Sequence, residues 1–328
     1  MKNNRFKGKN VLVTGGLGFI GSNLAIELVG QGARVEVLDA LIPDMGGNRF
    51  NIHPILKNIK VTIADMRNRL KVKKAIKDKE IIFNLAGTLS HVDSMTNPFL
   101  DLEINCNAQL CLLEACRQFN PSVKIVFAGT RNQYGRTLYS PVDEKHLQEP
   151  TDINGINSIA AEKYHLLYGK IYGIKTTSLR MTNTYGPRHQ MHHPKQGVLN
   201  WFIRQLIDGE EIKLFGDGTQ IRDVNYVSDV VDALMLAAVS AKSNGEVYNL
   251  GGCPITLRGF VEECINIYGR GSWSLIKFPK DRKAIEIGNY IADIKKIRED
   301  LGWQPKVDIQ TAIAMTIDYY LKNKKHYF

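Results

Sequence analysis

The chain has 328 residues, a net charge of +10 and five cysteines, and 44% of its residues are hydrophobic. This is the composition of a globular protein, and the length allows one large or two modest domains. The lysines and arginines are scattered, which argues against a nucleic-acid-binding protein, and no apolar run is long enough to span a membrane. The odd number of cysteines, without a Cys-x-x-Cys pair or a signal peptide, predicts a reduced, cytoplasmic protein.

The stretch NVLVTGGLGFIG at residues 10–21 combines a short apolar run with closely spaced glycines. The run is typical of a buried strand, and Gly15, Gly18 and Gly21 follow it as a helical pattern begins. A strand, a glycine-rich turn and a helix, in this order, predict a dinucleotide site with the pyrophosphate at the helix N-terminus. Phe19 and Ile20 belong to the same turn, so we expect them to contact the cofactor as well.

A second strand pattern at residues 34–38 ends at Asp39, 18 residues after Gly21. An acidic residue at about this distance binds the ribose hydroxyls of NAD. No lysine or arginine occurs at residues 40–47 that could hold the 2′-phosphate of NADP, so the sequence favours NAD. The alternative is an ordinary α/β turn that binds no nucleotide.

Strand and helix patterns alternate along the rest of the first half of the chain. Strands are predicted at residues 61–64, 81–85, 123–128 and 175–180, and helices at residues 70–77, 99–118 and 153–172. This alternation indicates an α/β protein with a Rossmann doubly wound parallel sheet. After Tyr185 the pattern becomes less regular and predicts a smaller mixed α/β lobe. We therefore expect a dinucleotide-binding domain at residues 1–184, to which later segments can return, and a substrate lobe at residues 185–328.

Several separated motifs between Asn10 and Pro305 carry a family resemblance. They are TGGLGFIGSNL at residues 14–24, DMR at 65–67, NLAG at 84–87, LEIN at 102–105, LRMTNTYGPR at 179–188, GDGTQIRD at 216–223, YVSD at 226–229 and LGWQP at 301–305. Together they resemble the extended short-chain dehydrogenase/reductase family, in its nucleotide-sugar epimerase and dehydratase branch. The resemblance implies binding of NAD and of a nucleotide-diphosphate sugar.

The resemblance also implies roles for the matching residues. Asp39 would hold the adenosine ribose, and Asp65 and Met66 would contact the adenine. Asn183 and Arg222 would bind the diphosphate of the sugar nucleotide. The other residues implied are Leu85, Ala86 and Gly87 beneath the cofactor, Asn105 as the family's structural asparagine, and Arg282 as a second candidate for the substrate.

The helix at residues 153–172 departs from the family pattern at the position of its acid/base pair. The family has Tyr-x-x-x-Lys there, whereas this chain has Asn154 and Ser158. An asparagine does not titrate, so it can orient a sugar hydroxyl but cannot take its proton. Thr130 matches the family's sugar-binding hydroxyl, but Arg131 and Asn132 replace the Asp-Glu pair of 4,6-dehydratases, so simple dehydration is disfavoured.

His91 has a suitable unperturbed pKa to replace the missing base and lies in the segment that would border the substrate, although an ordinary loop histidine is the alternative. The histidines at 189, 192 and 193 do not have the spacing of a metal site. The sequence therefore favours an NAD-dependent nucleotide-sugar epimerase, without metal, that oxidises the sugar transiently. The candidate catalytic residues are Thr130, Asn154 and Ser158, and protons would move through an unusual shuttle of Asn154, Thr130 and either His91 or water. Alternatives are a catalytically silent homologue and a dehydratase or other oxidoreductase on the same scaffold. The substrate would be UDP- or CDP-linked, and the helices at 99–118 and 153–172 would form a homodimer interface.

Overall fold

The computed structural model describes residues 5–328, apart from the side chain of Asp281. Twelve strands occur in this part of the chain: β1 (Asn10–Thr14), β2 (Arg34–Asp39), β3 (Lys60–Ile63), β4 (Ile81–Asn84), β5 (Lys124–Thr130), β6 (Lys175–Met181), β7 (Asn183–Tyr185), β8 (Ile212–Phe215), β9 (Ile221–Tyr226), β10 (Glu246–Asn249), β11 (Cys253–Thr256) and β12 (Trp273–Ile276).

Twelve α-helices connect or cover these strands within residues 5–328. They are α1 (Phe19–Gly30), α2 (Arg69–Ile76), α3 (His91–Thr96), α4 (Pro98–Leu102), α5 (Ala108–Phe119), α6 (Ile153–Tyr172), α7 (Val198–Asp208), α8 (Val227–Val239), α9 (Leu257–Tyr268), α10 (Lys280–Ala284), α11 (Lys295–Leu301) and α12 (Ile309–Asn323). A π-helical turn, Glu103–Asn107, joins α4 to α5.

The main sheet has seven parallel strands in the order β10-β6-β5-β4-β1-β2-β3. The direction of winding reverses between β1 and β4, which pair with each other in parallel. A crevice opens at such a switch point, beyond the carboxyl ends of the strands, and ligands bind there. The predicted α/β fold class is confirmed.

Helices cover both faces of this sheet because successive side chains of each strand point to opposite sides. Val11 and Val13 of β1 belong to the core shared with α1 and α8, whereas Leu12 belongs to the core shared with α2 and α5. Each face is therefore closed by helices, as the continuous apolar character of the strands requires. No helix in the described residues is both long and apolar enough to cross a membrane.

The smaller lobe contains two short sheets, β11-β9-β7 and β12-β8. Its core includes Leu199, Phe202, Phe260 and Tyr320, which come from α7, α9 and α12. The chain crosses between the two parts more than once, since β10 pairs with β6 and α8 packs in the core of the main sheet. The division at residues 184 and 185, with later segments returning to the first domain, stays a prediction.

Candidate functional site

The glycine turn between β1 and α1 is shaped by close backbone contacts. Gly15 has a φ of 67°, and a Cβ there would lie 2.7 Å from the carbonyl oxygen of Leu85. A Cβ on Gly21 would lie 2.3 Å from the carbonyl oxygen of Gly15. The N-cap residue of α1, Gly18, provides no side-chain cap, and the first turn contains no acidic residue. The positive end of the helix dipole is therefore left for an anion to neutralise.

Asp39 lies at the end of β2 and has one backbone partner for each carboxylate oxygen. Its Oδ2 atom accepts a hydrogen bond of 2.9 Å from the amide of Leu17, and its Oδ1 atom accepts one of 2.8 Å from the amide of Leu41. Burial raises the pKa of Asp39, although the two N–H groups oppose this shift. Each oxygen keeps a further lone pair, so the carboxylate can also accept hydrogen bonds from ribose hydroxyls.

Asp65 and Met66 follow β3, on the other side of Asp39 from the glycine turn. Asp65 forms a bidentate ion pair with Arg67, with Nε and Nη2 distances of 3.0 and 2.7 Å. The hydrogen bond from Arg67 holds the pKa of Asp65 below its usual value. Met66 is buried. An acidic group, held by Arg67, and a buried apolar side chain therefore lie next to each other in the chain at the end of β3.

The segment after β4 is held in place by Asn105, which lies on the π-helical turn. Asn105 Oδ1 accepts a hydrogen bond of 2.8 Å from the amide of Thr88, and its Nδ2 atom donates to the carbonyl and hydroxyl oxygens of Thr88. A Cβ on Gly87 would approach Asn105 Oδ1 to 2.8 Å. Asn105 thus fixes the backbone that begins with Leu85 and Ala86.

An open cleft of about 1420 Å³ runs across the carboxyl ends of the strands. We call it the glycine-turn cleft. Thr130 and Ser158 also line it, whereas Asn154, His91, Asn183, Arg222 and Arg282 are not among its lining residues. Its lining includes every residue predicted from the sequence to bind the cofactor, namely Gly15, Gly18, Phe19, Ile20, Gly21, Asp39, Asp65, Met66, Leu85, Ala86, Gly87 and Asn105.

Asn154 occupies the position at which the family pattern has a tyrosine, and its side-chain amide forms hydrogen bonds within the protein. Its side chain is 1% exposed, and Nδ2 donates to the carbonyl oxygen of Thr88 at 2.8 Å and to Asp101 Oδ2 at 3.0 Å. Both N–H bonds of the amide are therefore committed, and the carbonyl oxygen is the part of the side chain that can face a ligand.

The buried carboxylate of Asp101 is surrounded by neutral donors. Its Oδ2 atom accepts hydrogen bonds from Thr88, Asn105 and Asn154, and its Oδ1 atom accepts one from Asn157 at 2.8 Å. We call these five residues the Asp101 cluster. Because charge-assisted hydrogen bonds are stronger than neutral ones, the cluster fixes the contact between α4, α6 and the segment after β4.

The other two predicted catalytic residues have short local contacts. Ser158 Oγ donates a hydrogen bond of 2.7 Å to the carbonyl oxygen of Asn154, one turn earlier in α6. Thr130 Oγ1 accepts one of 3.2 Å from the amide of Asn132 and caps the short helical turn Arg131–Tyr134. Both hydroxyl groups lie at the cleft, but neither contacts a titratable side chain through a hydrogen bond within the described chain.

His91, Asp152 and Asn132 form a connected group beside the cleft. His91 Nδ1 lies 2.5 Å from Asp152 Oδ2, and His91 Nε2 lies 2.9 Å from Asn132 Nδ2. Because an amide nitrogen only donates, this pattern makes Nε2 the acceptor and puts the imidazole proton on Nδ1, facing Asp152. Burial would raise the pKa of Asp152, but the hydrogen bonds from His91 and from the amide of Gly155 oppose it, and the pKa is lowered. Leu89, two residues before His91, lines the cleft.

Asn183 and Arg222 lie where the two parts of the chain meet. Asn183 Oδ1 accepts a hydrogen bond of 3.3 Å from Arg131 Nε. Arg222 is buried and forms an ion pair of 2.5 Å with Glu286, and its Nη1 atom donates to the carbonyl oxygen of Gly288 at 2.7 Å. Arg282 lies on α10, shortly before Glu286 in the chain. The structure therefore brings Asn183 and Arg222 together around Arg131, and their roles in substrate binding stay predictions.

The three histidines of the segment 189–193 do not converge. His189 is buried, its Nδ1 atom contacts the carbonyl oxygen of Gln190, and burial lowers its pKa to about 4. His193 Nε2 lies 3.0 Å from the carbonyl oxygen of Asp44. Within residues 5–328, no group of three or more histidine, cysteine or acidic side chains could hold a metal ion.

Comparison with known proteins identifies the family. Residues 11–251 match the NAD-dependent epimerase/dehydratase family. The chain belongs to this family. Its relatives include a protein named putative UDP-glucose 4-epimerase from Methanocaldococcus jannaschii, which is 33% identical over 96% of this chain and 99% of its own length. CDP-paratose 2-epimerase from Salmonella typhi is 30% identical over 94% of this chain and 98% of its own length.

The fold of this epimerase/dehydratase family member also matches solved structures. UDP-glucose 4-epimerase of Thermus thermophilus, in complex with NAD, superimposes with a TM-score of 0.85 and 32% identity. The match covers 95% of this chain and 99% of the other. The family resemblance found in the motifs is therefore confirmed, and this chain is a nucleotide-sugar epimerase/dehydratase family enzyme by homology.

Sequence reasoning about this family member missed Asp101, Asp152 and Glu286. Asp152 carried a signal, because an aspartate directly before a helical pattern predicts an N-cap, and its Oδ1 atom accepts a hydrogen bond of 2.7 Å from the amide of Gly155. Asp101 and Glu286 carried none, since their partners are distant in the sequence.

Proposed function

We propose that the protein is an NAD-dependent epimerase of UDP- or CDP-linked sugars that acts by transient oxidation of the sugar. The observation that carries the proposal is that the twelve predicted cofactor residues line one cleft together with Thr130 and Ser158. A dinucleotide in that cleft would place its reacting end beside these two hydroxyl groups. Relatives named as acting on UDP-glucose and CDP-paratose support the substrate class.

The residues present fit NAD. The uncapped N-terminus of α1 offers free N–H groups to a pyrophosphate, and Asp39 offers acceptors to ribose hydroxyls. Ala40, Ile42, Met45, Gly46 and Gly47, which line the cleft next to Asp39, are all uncharged and would not neutralise a 2′-phosphate. When bound, NAD supplies a reversible hydride acceptor, and the NAD complex of a relative supports this choice.

The proton needs a carrier, because Asn154 cannot titrate. We assign this role to His91, whose Nε2 atom is its acceptor and whose Nδ1–H is held by Asp152. A sugar hydroxyl that displaces the Asn132 amide would pass its proton to His91 Nε2, and Asp152 would stabilise the imidazolium formed. This is the orienting function of an aspartate beside a catalytic histidine. Thr130, which lines the cleft, would position the sugar, whereas the buried Asn154 holds the backbone of Thr88.

The decisive experiment uses the purified protein with NAD and a panel of UDP- and CDP-sugars in deuterated water, followed by NMR. An epimer without deuterium at the inverted carbon supports transient oxidation, because the same hydride returns. An epimer with deuterium there would refute it in favour of deprotonation at carbon. Saturable binding without turnover would favour the second candidate, a catalytically silent homologue. Asn154 supports this candidate, because both N–H groups of its side-chain amide are hydrogen-bonded within the protein.

A His91→Gln variant tests the proton carrier. We expect kcat to fall by roughly 10²- to 10⁴-fold with little change in substrate affinity, as for loss of a positioned acid/base. His53→Gln is the matched control, since His53 is exposed on another part of the surface. Equal activity of the two variants would rule out His91 as the carrier.

We also propose a homodimer through α5 and α6. Large apolar side chains are exposed on these two helices and on the preceding α4, and exposed apolar patches often mark interfaces between proteins. These side chains are Phe99, Phe119, Ile156, Leu167 and Ile171.

A further inference from the structure

Arg131 is a buried cation that forms no ion pair within residues 5–328. It is 8% exposed and starts the short helical turn after β5. Its Nε atom donates to Asn183 Oδ1, but its Nη1 atom is buried and has no hydrogen-bond partner in residues 5–328. Arg131 also takes part in none of the ion pairs found in that part of the chain, so its charge is not balanced by a carboxylate at close range.

The other two buried arginines near this place are neutralised. Arg180 forms an ion pair of 2.5 Å with Glu162, and both side chains are almost fully buried. Arg222 pairs with Glu286. Leaving a charge buried and unpaired is costly, and natural proteins retain such groups chiefly where they are used. Burial, reinforced by the charge of Arg222, lowers the pKa of Arg131 to about 10, although the more distant carboxylates of Glu286 and Asp152 oppose this shift.

Tyr290 presents a second unpartnered polar group at the same place. Its side chain is fully buried, and its hydroxyl group has no hydrogen-bond partner among the described residues. The guanidinium carbon of Arg131 lies 5.3 Å from the centroid of the Tyr290 ring. A guanidinium group only donates, and a hydroxyl group can donate, so one negatively charged acceptor could satisfy both. A metal cation would instead be repelled.

We propose that Arg131 and Tyr290 form an oxyanion subsite for the sugar nucleotide, which binds a phosphate oxygen or a carboxylate on the sugar. The inference rests on the proposed function and deepens it, because it adds a selective contact to the predicted substrate residues Asn183 and Arg222. The position agrees with this role. Thr130, directly before Arg131, lines the cleft, and Asn183 contacts the guanidinium group, so Arg131 and Tyr290 lie behind the cleft wall and not on it.

The test measures binding to the full-length protein by calorimetry with three probes: the nucleoside diphosphate, its glucose ester and its glucuronate ester, each in uridine and cytidine forms. The variants are Arg131→Met, Arg131→Lys and Tyr290→Phe. Arg258→Met is the matched control, because it removes an exposed positive charge from the smaller lobe. Thermal unfolding of each unliganded variant is recorded in parallel.

We expect Arg131→Met to weaken binding by about 10- to 100-fold, as for loss of a charge-assisted hydrogen bond, and Tyr290→Phe by about 5- to 10-fold. Equal losses for all three probes identify a phosphate oxygen as the bound group. A loss confined to the glucuronate ester identifies the sugar carboxylate. Arg131→Lys should retain part of the affinity, and Arg258→Met all of it.

The unliganded proteins separate a binding role from a structural one. Removal of an unpaired buried cation should leave the melting temperature of Arg131→Met unchanged or raise it. A lower melting temperature together with wild-type affinity for every probe would overturn the subsite and make Arg131 structural. If the wild-type protein binds none of the probes, the proposed function and the subsite both fail. Wild-type binding with an unaffected Arg131→Met variant overturns the subsite alone.

Discussion

The Asp101 cluster allows us to predict how much the buried charge of Asp101 contributes to the free energy of unfolding. Asp101 accepts four hydrogen bonds from neutral side chains, and in Asp101→Asn these become neutral bonds, one of them with a reversed donor. A hydrogen bond to a charged group contributes about 1 kcal/mol more than a neutral one. Allowing for relaxation, we expect the free energy of unfolding to fall by about 2–4 kcal/mol, which is a large part of the stability of a typical domain.

Urea-induced unfolding at neutral pH measures this change, with the midpoint and the slope fitted separately. Asp318→Asn is the control, because Asp318 is also helical but is exposed and pairs with the exposed Lys322. Its effect should stay within about 0.5 kcal/mol. We further expect Asp101→Asn to weaken NAD binding, since Asn105 loses an anchor. A loss of less than about 1 kcal/mol for Asp101→Asn, or an equal loss in both variants, would refute the reasoning.

Three further predictions concern the cofactor, pH and assembly. Asp39→Asn should weaken NAD binding by about tenfold or more and reduce the preference for NAD over NADP, because one charged acceptor is lost. Fluorescence titration measures both affinities, and an unchanged ratio of the two would contradict this. Burial lowers the pKa of Lys124 to about 7 in the folded protein. Between about pH 7 and 10 the unfolded chain therefore binds more protons at this residue than the folded protein does, so the contribution of Lys124 to the free energy of unfolding should rise over this range. Lys124→Met should therefore stabilise the protein most at pH 7 and below, by at most about 5 kcal/mol, and progressively less above it, whereas the exposed Lys213→Met should show no such trend in chemical unfolding. Ile171→Lys, 60% exposed on α6, should convert a dimer to a monomer in sedimentation velocity, and Leu70→Lys, 74% exposed on α2, should not; a wild-type monomer at micromolar concentration would contradict the interface.

Local signals explain which elements were predictable from the sequence. The helix predicted at residues 153–172 has the same bounds in the structure, because Asp152 caps its start and Gly173 ends it with a left-handed conformation. The helix predicted at residues 99–118 is instead α4, a π-helical turn and α5. Leu102 at the end of α4 is 42% exposed, whereas Ala108 and Leu112 of α5 are buried, because the extra residue of the π-turn rotates the helix face that follows it.

The smaller lobe was predicted less completely. The helix α9 and the strands β7, β11 and β12 had no counterpart in the sequence analysis, which predicted only a smaller mixed α/β lobe after Tyr185. These elements are short, or are buried on one side only in a small lobe, so their periodicity is weak. These strands can be identified only from their pairing in the structure, as for β11 with β9.

In the candidate site, too, some residues could be predicted from the sequence and others could not. The cofactor residues lie in compact motifs at strand ends, and a parallel sheet brings all strand ends to one edge, so their convergence followed from the fold class. The contacts that decide the chemistry are different. Asp101 is 53 residues from Asn154, His91 is 61 from Asp152, and Arg222 is 64 from Glu286. No periodicity or motif connects such pairs, so they emerged only from the packed structure.

The contact between Asn154 and Asp101 also restricts how this enzyme could be redesigned or could diverge. A tyrosine at position 154 would enter a site that is 1% exposed and would replace two N–H donors by one hydroxyl group. Asp101 would then keep a buried charge with one donor fewer. We therefore expect Asn154→Tyr alone to destabilise the protein, and a change at position 101 to reduce that cost.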